Sequence, residues 1–251
     1  MTDGLDDLLS GFAPVSLDQL DQRAALLRRV DRKYSIDADR FGELAARLQS
    51  DHEILEIAGR RAFGYRSAYF DTPDRRCFLD HVSDRIPRFK ARTRIYEDSG
   101  ACVFEVKLTR AQGETDKRQV DHEVQAARLL TAEARQCLEE ALTDAGLQAP
   151  EELGHSLTTS FWRVTLAAQG GSARLTCDLG ISLAAPTGQT VRMRDGLILV
   201  ETKSEDGESP ADRALADRGV EPVSLSKYRV GISLVGGAGG NEPQPGSQLF
   251  E

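Results

Sequence analysis

Hydrophobic and polar residues alternate along several stretches of this chain, most regularly over Arg88–Tyr96. Successive side chains of an extended strand point to opposite faces, so this alternation predicts a strand with two different faces. The stretch 103–108 alternates in the same way and places Glu105 and Lys107 on one face. On the first strand one face carries Arg88, Lys90, Arg92 and Arg94, and the other carries Phe89, Ala91, Thr93 and Ile95. Because neighbouring like charges repel, the cationic face meets either water or an anion.

The other periodicities predict further strands and a few helices. Apolar residues at helical spacing predict helices at 16–29, 41–48, 77–79, 126–145 and 211–218. Strand patterns lie at 30–36, 52–57, 62–70, 117–122, 161–167, 173–183 and 196–203. Asp37 or Asp39 is the expected N-cap of the second helix. Residues 1–14 are expected to be flexible, and the segment from 236, rich in glycine and proline, to be disordered.

The order of these elements predicts the fold class. Hairpin-linked strands without regular strand–helix–strand alternation are typical of an α+β protein with an antiparallel sheet. About eight strands are enough for a closed β-barrel with flanking helices. If the charged faces point inward, the barrel encloses a wide basic tunnel rather than a packed interior.

Composition and charge narrow the function classes. The net charge of −8 argues against a general nucleic-acid binder, whose affinity depends on a basic outer surface. No stretch is apolar enough for a membrane span and the first residues do not resemble a signal peptide, so a cytoplasmic protein is expected. The four cysteines are far apart, which makes a thiolate zinc site or a disulfide framework unexpected. Basic strands within an acidic protein therefore indicate a local site for a compact polyanion.

Three strands carry an acid and a base two residues apart, and such residues share a face. The pairs are Asp31 and Lys33, Glu105 and Lys107, and Glu201 and Lys203. Further charged strand residues are Lys117, Arg118, Arg163, Arg174 and Asp178. One interpretation is a set of ordinary salt bridges on a solvated sheet. The other is a phosphate site, in which arginine and lysine bind phosphate oxygens and carboxylates hold a divalent cation between them.

Several short motifs occur together in a characteristic order. They are Asp31-Arg-Lys-Tyr34, Tyr69-Phe-Asp-Thr-Pro-Asp74, Arg88-Phe-Lys-Ala-Arg-Thr-Arg94, Phe104-Glu-Val-Lys107, Lys117-Arg118, Glu201-Thr-Lys203 and Ser226-Lys-Tyr228. The set resembles the VTC domain, the polyphosphate polymerase branch of the triphosphate tunnel metalloenzymes (the CYTH-like superfamily). The resemblance covers residues 28–235, which leaves 1–27 as an N-terminal segment with a short helix and 236–251 as a tail.

The resemblance implies an antiparallel barrel with a basic tunnel, and transfer of the terminal phosphate of ATP to polyphosphate with Mn²⁺ or Mg²⁺. It implies that Lys33, Arg92, Arg94, Lys107, Arg163 and Lys227 act on the reacting phosphates. Further expected phosphate ligands are Lys90, Lys117, Arg118, Arg174, Lys203 and Ser226, with Lys90 and Arg88 at the rim. Glu201 is the expected principal metal ligand, beside Asp31, Glu105 and Asp178. Eukaryotic polymerases carry an additional lysine near Ser224 and a tyrosine near Phe161.

Two alternatives of the same fold stay open at this point. One is a hydrolase of triphosphate or polyphosphate, in which water replaces the acceptor phosphate. The other is a non-catalytic sensor of polyphosphate or nucleotide. ATP, triphosphate and polyphosphate are the expected ligands in each case. A membrane-protein partner is a further possibility, because relatives work alongside membrane proteins.

Overall fold

The computed structural model describes residues 7–23, 30–110, 114–236 and 243–251. These residues form an α+β fold in which eleven strands share one hydrogen-bonded sheet. The strands are β1 (Ala13–Val15), β2 (Val30–Asp37), β3 (His52–Leu55), β4 (Phe63–Asp71), β5 (Arg88–Tyr96), β6 (Ala101–Thr109), β7 (Thr115–Asp121), β8 (Gly154–Ala168), β9 (Arg174–Ala184), β10 (Thr190–Arg192) and β11 (Leu197–Ser204). The helices are α1 (Leu17–Arg23), α2 (Ala38–Leu48), α3 (Arg76–Val82), α4 (Ala132–Thr143), α5 (Pro210–Ala216) and α6 (Lys227–Val235).

The chain divides into two compact units, and β8 and β9 contribute residues to both. Unit 1 comprises the described residues within Met1–Phe63, Trp162–Gly180 and Met193–Ser224. Unit 2 comprises those within Gly64–Phe161, Ile181–Arg192 and Leu225–Glu251.

In unit 1, β11 pairs antiparallel with β2 on one side and with β9 on the other. β3 pairs antiparallel with β8 and parallel with β1. Alternate residues of the central strands, such as Tyr34 and Val200, are buried in one core with Phe41 of α2 and Leu215 of α5. Asp37 caps α2 by accepting a hydrogen bond from the backbone N–H of Arg40 at 2.9 Å. The helices therefore cover the apolar face of this part of the sheet.

In unit 2, strands β4, β5, β6 and β7 form an antiparallel meander. The predicted alternation of β5 is observed, since Phe89, Ala91 and Phe104 of β6 lie in one core. Leu138 and Leu142 of α4 belong to the same core. Helix α4 thus covers the apolar face, and the charged residues of β5 and β6 lie on the opposite face.

The α+β class and the large antiparallel sheet are confirmed, but closure into a barrel is not. Among the described residues the main strand path runs β2-β11-β9-β8-β4-β5-β6-β7, and no ladder joins its two ends. No helix within the described ranges is long and apolar enough to span a membrane.

Some boundaries differ from the prediction for local reasons. The fourth helix begins at Ala132 rather than Ala126, because Thr131 caps it by accepting a hydrogen bond from Ala134 N. Helix α6 was not predicted from the apolar spacing. Residues 243–251 lie in the expected disordered tail, yet Glu251 exchanges two backbone hydrogen bonds with Arg192. Residues 1–6, 24–29, 111–113 and 237–242, which include the end of the first predicted helix, lie outside the described residues.

Candidate functional site

The charged face of unit 1 is organised by the register of three strands. Lys33 of β2 lies opposite Glu201 of β11, and Asp31 lies opposite Lys203. Arg174 of β9 lies opposite Lys203 on the other side. Residues directly opposite each other on antiparallel strands share a face. The structure therefore brings these five predicted residues together.

Glu201 lies between two lysines. Its Oε1 is 3.8 Å from the Nζ of Lys33 and its Oε2 is 3.0 Å from the Nζ of Lys203. Lys203 is only 8% exposed. Burial lowers the pKa of Lys203 to about 8, although the negative charges of Glu201 and Asp31 oppose the shift. This part of the face holds positive and negative groups in close alternation.

Arg163 and Asp178 form a two-pronged ion pair in the same unit. The Nε of Arg163 donates to Oδ1 of Asp178 at 2.6 Å, and Nη2 donates to Oδ2 at 2.8 Å. Asp178 is 1% exposed. Such bidentate pairs fix the plane of a guanidinium group. Both oxygens of Asp178 are thus engaged by arginine, which makes this carboxylate a poor metal ligand.

In unit 2, Glu105 of β6 is surrounded by cations. Arg92 Nε donates to its Oε2 at 2.7 Å, Arg94 Nε lies 3.9 Å from the same oxygen, and Lys117 Nζ lies 2.5 Å from Oε1. Burial alone would raise the pKa of Glu105, but Arg92, Arg94 and Lys117 together lower it to about 2. Three cations around one carboxylate also repel a divalent metal ion. The geometry indicates that Glu105 orients arginine rather than binding metal.

Tyr69 of β4 holds the other side of Arg92. Arg92 Nη1 donates to the hydroxyl of Tyr69 at 2.9 Å. Burial acts to raise the pKa of Tyr69, but the positive charges of Arg92, Arg94 and Lys227 outweigh it and lower the pKa. The guanidinium of Arg92 is therefore fixed from two sides by Tyr69 and Glu105.

Three lysines stand in register across neighbouring strands of unit 2. Lys90 of β5 lies opposite Lys107 of β6, and Lys107 lies opposite Lys117 of β7. Like charges directly opposite each other destabilise a sheet. A bound anion would offset that repulsion.

Aromatic rings lie beneath four cations of the same face. Arg92 lies 5.6 Å from the ring of Tyr69, and Arg94 lies 5.7 Å from that of Tyr65. Lys90 and Lys227 lie 5.9 Å and 4.7 Å from the rings of Tyr228 and Phe161. A cation over an aromatic face is attracted by the ring quadrupole. Residue alternation places Tyr65 and Tyr69 on one strand face, and Tyr69 lies opposite Arg92, which is the signal in the sequence that identifies these two rings as part of the site.

Ser226 begins helix α6 beside this face. Its hydroxyl accepts a hydrogen bond from Arg229 N at 3.4 Å and one from Lys90 Nζ at 3.4 Å. Lys227 is the first residue of the helix. The structure thus brings Ser226 and Lys227, which are distant in sequence from β5, close to the predicted phosphate residues of that strand.

Arg118 does not lie with the other predicted phosphate ligands. It stands opposite Val106, whose side chain is in the core under α4, whereas its neighbour Lys117 stands opposite Lys107. Arg118 pairs with Asp144 at the end of α4 and with Asp116. Adjacent strand residues point to opposite faces, so Lys117 and Arg118 cannot both lie on the charged face, and the predicted role of Arg118 as a phosphate ligand does not fit its position.

The divalent metal ion that the resemblance implies fits some of the predicted carboxylates and not others. No group of three or more His, Cys, Asp or Glu side chains that could hold a metal occurs among the described residues. Mg²⁺ uses one or two carboxylates and completes its shell with phosphate oxygens and water. Glu201 and Asp31, diagonal neighbours on one face, match that donor set. Asp178 and Glu105 match it less well, because arginine or lysine holds both of their oxygens at 2.5–2.8 Å, whereas the two lysines beside Glu201 lie at 3.0 and 3.8 Å.

Comparisons with known proteins identify the fold and the family of the chain. No curated protein is significantly similar to the chain. A proposed adenylate cyclase from Bacillus halodurans shares the fold with a TM-score of 0.51 and 19% identity over 79% of this chain and 94% of that chain. A Hippeastrum protein, described as a proposed adenylyl cyclase with a dominant triphosphatase activity, has a TM-score of 0.49 and 15% identity over 82% of this chain and 96% of that chain. The family model of the VTC domain matches residues 28–235, which is most of the chain, and the chain therefore belongs to the VTC domain family.

Proposed function

We propose that the protein is a metal-dependent phosphotransferase that moves the γ-phosphate of ATP to a polyphosphate chain. The observation that carries this proposal is the row of Lys90, Lys107 and Lys117, which stand in register on three strands. Their mutual repulsion favours an occupant that brings several negative charges to adjacent positions. Polyphosphate is such an occupant, and membership of the VTC family supports the same substrate class.

In unit 2, Arg92 is the proposed clamp on the reacting phosphates. Its Nε and Nη1 are held by Glu105 and Tyr69, so its orientation is set before substrate arrives. Donors oriented in advance stabilise the charge of a transition state without a reorganisation cost. Arg94 and Lys107 add positive charge, and Lys227 extends it to the start of α6.

In unit 1, Lys33, Lys203 and Arg163 are the proposed phosphate ligands, and Arg174 lies beside them. Glu201 is the proposed principal metal ligand, with Asp31 as the second carboxylate. A bound Mg²⁺ or Mn²⁺ would neutralise phosphate charge and polarise the transferred group. Lys33 and Lys203 then keep the Glu201 carboxylate in place through their ion pairs.

The proposed reaction needs no covalent enzyme intermediate. A terminal oxygen of the polyphosphate chain bonds to the γ-phosphorus of ATP, and the bond from that phosphorus to the β–γ bridging oxygen breaks to release ADP. Positioning and charge neutralisation provide most of the catalysis in such transfers. The closed tunnel expected for the family belongs to the same proposal.

A hydrolase of triphosphate or polyphosphate is the second candidate. The observation that favours it is Phe161, whose ring lies under Lys227 and offers no hydroxyl where eukaryotic polymerases carry a tyrosine. In that reaction water takes the place of the acceptor phosphate. The same arginine and lysine contacts would serve both reactions.

The test is incubation of the purified protein with ATP and Mn²⁺ or Mg²⁺, followed by separate measurement of long polyphosphate and free phosphate. Long polyphosphate supports the proposal, free phosphate alone supports the hydrolase, and binding without turnover supports a sensor. Glu201→Gln should abolish turnover while leaving triphosphate binding detectable. Glu43→Gln is the matched control, since Glu43 pairs with Arg218 on the helical side of the same unit. Full turnover of Glu201→Gln would reject the metal assignment.

A further inference from the structure

Several buried side-chain nitrogen atoms in unit 2 lack a hydrogen-bond partner within the described part of the chain, and three of them come from elements that pack together. These three are Nε of Arg88, Nε of Arg229 and Nδ1 of His81. Arg88 begins β5 and shares a face with Lys90, whereas His81 and Arg229 come from α3 and α6. Helix α3 packs against both β5 and α6, so the three residues converge from three elements.

The electrostatics of His81 show that these groups are neighbours. Burial and the positive charges of Lys90, Arg88, Arg229 and Lys107 together lower the pKa of His81 to about 2. The imidazole is therefore neutral at physiological pH and adds no positive charge. A neutral imidazole with its hydrogen on Nδ1 is still a hydrogen-bond donor.

Unsatisfied buried donors are unusual in folded proteins. Leaving one without a partner costs free energy, most of all when the donor is charged, so such groups call for an explanation. Two acids near Arg88 and α3 pair with other atoms. Asp84 lies 3.4 Å from Nη2 of Arg88, and Asp80 pairs with Arg85 and Arg76. The Nε atoms of Arg88 and Arg229 are the groups left to an external acceptor.

We propose that Arg88, Arg229 and His81 form an anion-binding subsite that holds a distal segment of a linear polyphosphate chain. It lies beyond Lys90, at the opposite end of β5 from Arg94. The inference rests on the proposed function for the identity of the anion. The subsite would give the protein a preference for long chains over triphosphate.

The geometry of β5 favours a linear anion. A strand rises about 3.3 Å per residue, so the same-face cations from Arg88 to Arg94 extend over about 20 Å. That length exceeds the span of a triphosphate. A compact ligand held at Arg92 and Arg94 therefore leaves Arg88 unoccupied, whereas a long chain contacts the whole row.

The test compares the binding of triphosphate and of long-chain inorganic polyphosphate by calorimetry, without ATP or metal. The double variant Arg88→Gln/Arg229→Gln should bind long-chain polyphosphate about tenfold more weakly and triphosphate as tightly as the unmodified protein, because charge-assisted hydrogen bonds are lost only with the long ligand. Arg135→Gln/Arg110→Gln removes the same charge from residues that hydrogen-bond Glu139 and Asp116 instead, and should change neither affinity. Equal weakening for both ligands, or no weakening for the long chain, overturns the subsite.

A second measurement does not depend on the variants. In protein labelled with ¹⁵N-histidine, long-chain polyphosphate should shift the His81 ring signals toward the Nδ1–H tautomer, and triphosphate should not. His81→Gln assigns the signals. Unchanged His81 signals at saturating long-chain polyphosphate overturn the assignment of His81. A protein that makes no polyphosphate from ATP but shows both chain-length effects would reject the proposed polymerase and retain the subsite.

Discussion

Replacing Glu105 with glutamine should remove the carboxylate that organises the charged face of unit 2. Glu105 is 2% exposed and lies within ion-pair distance of Arg92, Arg94 and Lys117. A carboxyl whose pKa falls from 4.5 to about 2 on folding has its ionised form stabilised by about 3 kcal/mol. Removing one partner of a buried ion pair costs a similar amount, about 3–5 kcal/mol. We therefore expect Glu105→Gln to lower the free energy of unfolding by about 3 kcal/mol at neutral pH.

The stabilising effect of Glu105 should depend on pH, and its pKa shift fixes the direction of that dependence. Because the folded-state pKa of Glu105 is lower than the unfolded value, its stabilisation is present above pH 4.5 and is lost as the pH falls toward about 2. The stabilities of the unmodified protein and of Glu105→Gln should converge over that interval. Urea unfolding followed by circular dichroism in phosphate-free buffer measures both curves. Glu97→Gln is the control. Glu97 and its partner Arg66 are both 42% exposed, and exposed ion pairs contribute about 1 kcal/mol or less to the free energy of unfolding.

Two results would refute this account of Glu105. The first is a stability difference that stays constant between neutral and acid pH, since a charge effect must disappear as the carboxyl protonates. The second is a variant of normal stability that only needs more Mn²⁺ for turnover, which is the behaviour of a lost metal ligand. If the carboxylate orients Arg92, turnover falls at saturating metal and triphosphate still binds.

Other substitutions test neighbouring parts of the structure. Tyr69→Phe removes the hydroxyl that accepts a hydrogen bond from Arg92, so turnover should fall about tenfold. The free energy of unfolding, measured with urea, should change by about 1 kcal/mol. Arg163→Lys replaces a two-pronged contact to Asp178 with a single one and should lower the free energy of unfolding by about 2 kcal/mol. Tyr34→Phe removes a buried hydrogen bond to Asp212 on the helical side, and should cost about 1 kcal/mol in thermal or urea unfolding with unchanged turnover.

The alternation of residues was sufficient to predict which side of each strand is charged. In β5 and β6 the apolar residues enter the core under α4, and Arg92 shares a face with Glu105 as expected. The same rule places Lys117 and Arg118 on opposite faces of β7. A motif of two adjacent cations does not show that difference. Strand faces are a local property of the chain, and local properties are the ones that sequence patterns encode directly.

Contacts between distant residues were not predictable in this way. Tyr228 stacks on Tyr69 with ring centroids 5.0 Å apart, although the two residues lie far apart in the chain. Helix α6 has only a short apolar pattern, and its position beside Lys90 depends on tertiary packing. The role of Glu105 likewise depends on three cations that converge from two other strands. Residue type identified a carboxylate at this position, and only its surroundings distinguish an orienting group from a metal ligand.

The cations of the two faces are of two kinds, arginines fixed by buried carboxylates and lysines with flexible side chains. The two kinds suit different parts of the proposed reaction. Arg92 and Arg163 are each held by a buried carboxylate, Glu105 and Asp178, so their guanidinium planes are set without substrate. Lysine is instead a flexible point charge that adapts to its ligand. A transferring phosphate benefits from fixed donors, because any movement of the charge-stabilising groups lowers the rate. A growing chain of variable length benefits from the adaptable lysines. The whole chain has a net charge of −8, which disfavours the binding of polyanions outside these basic faces.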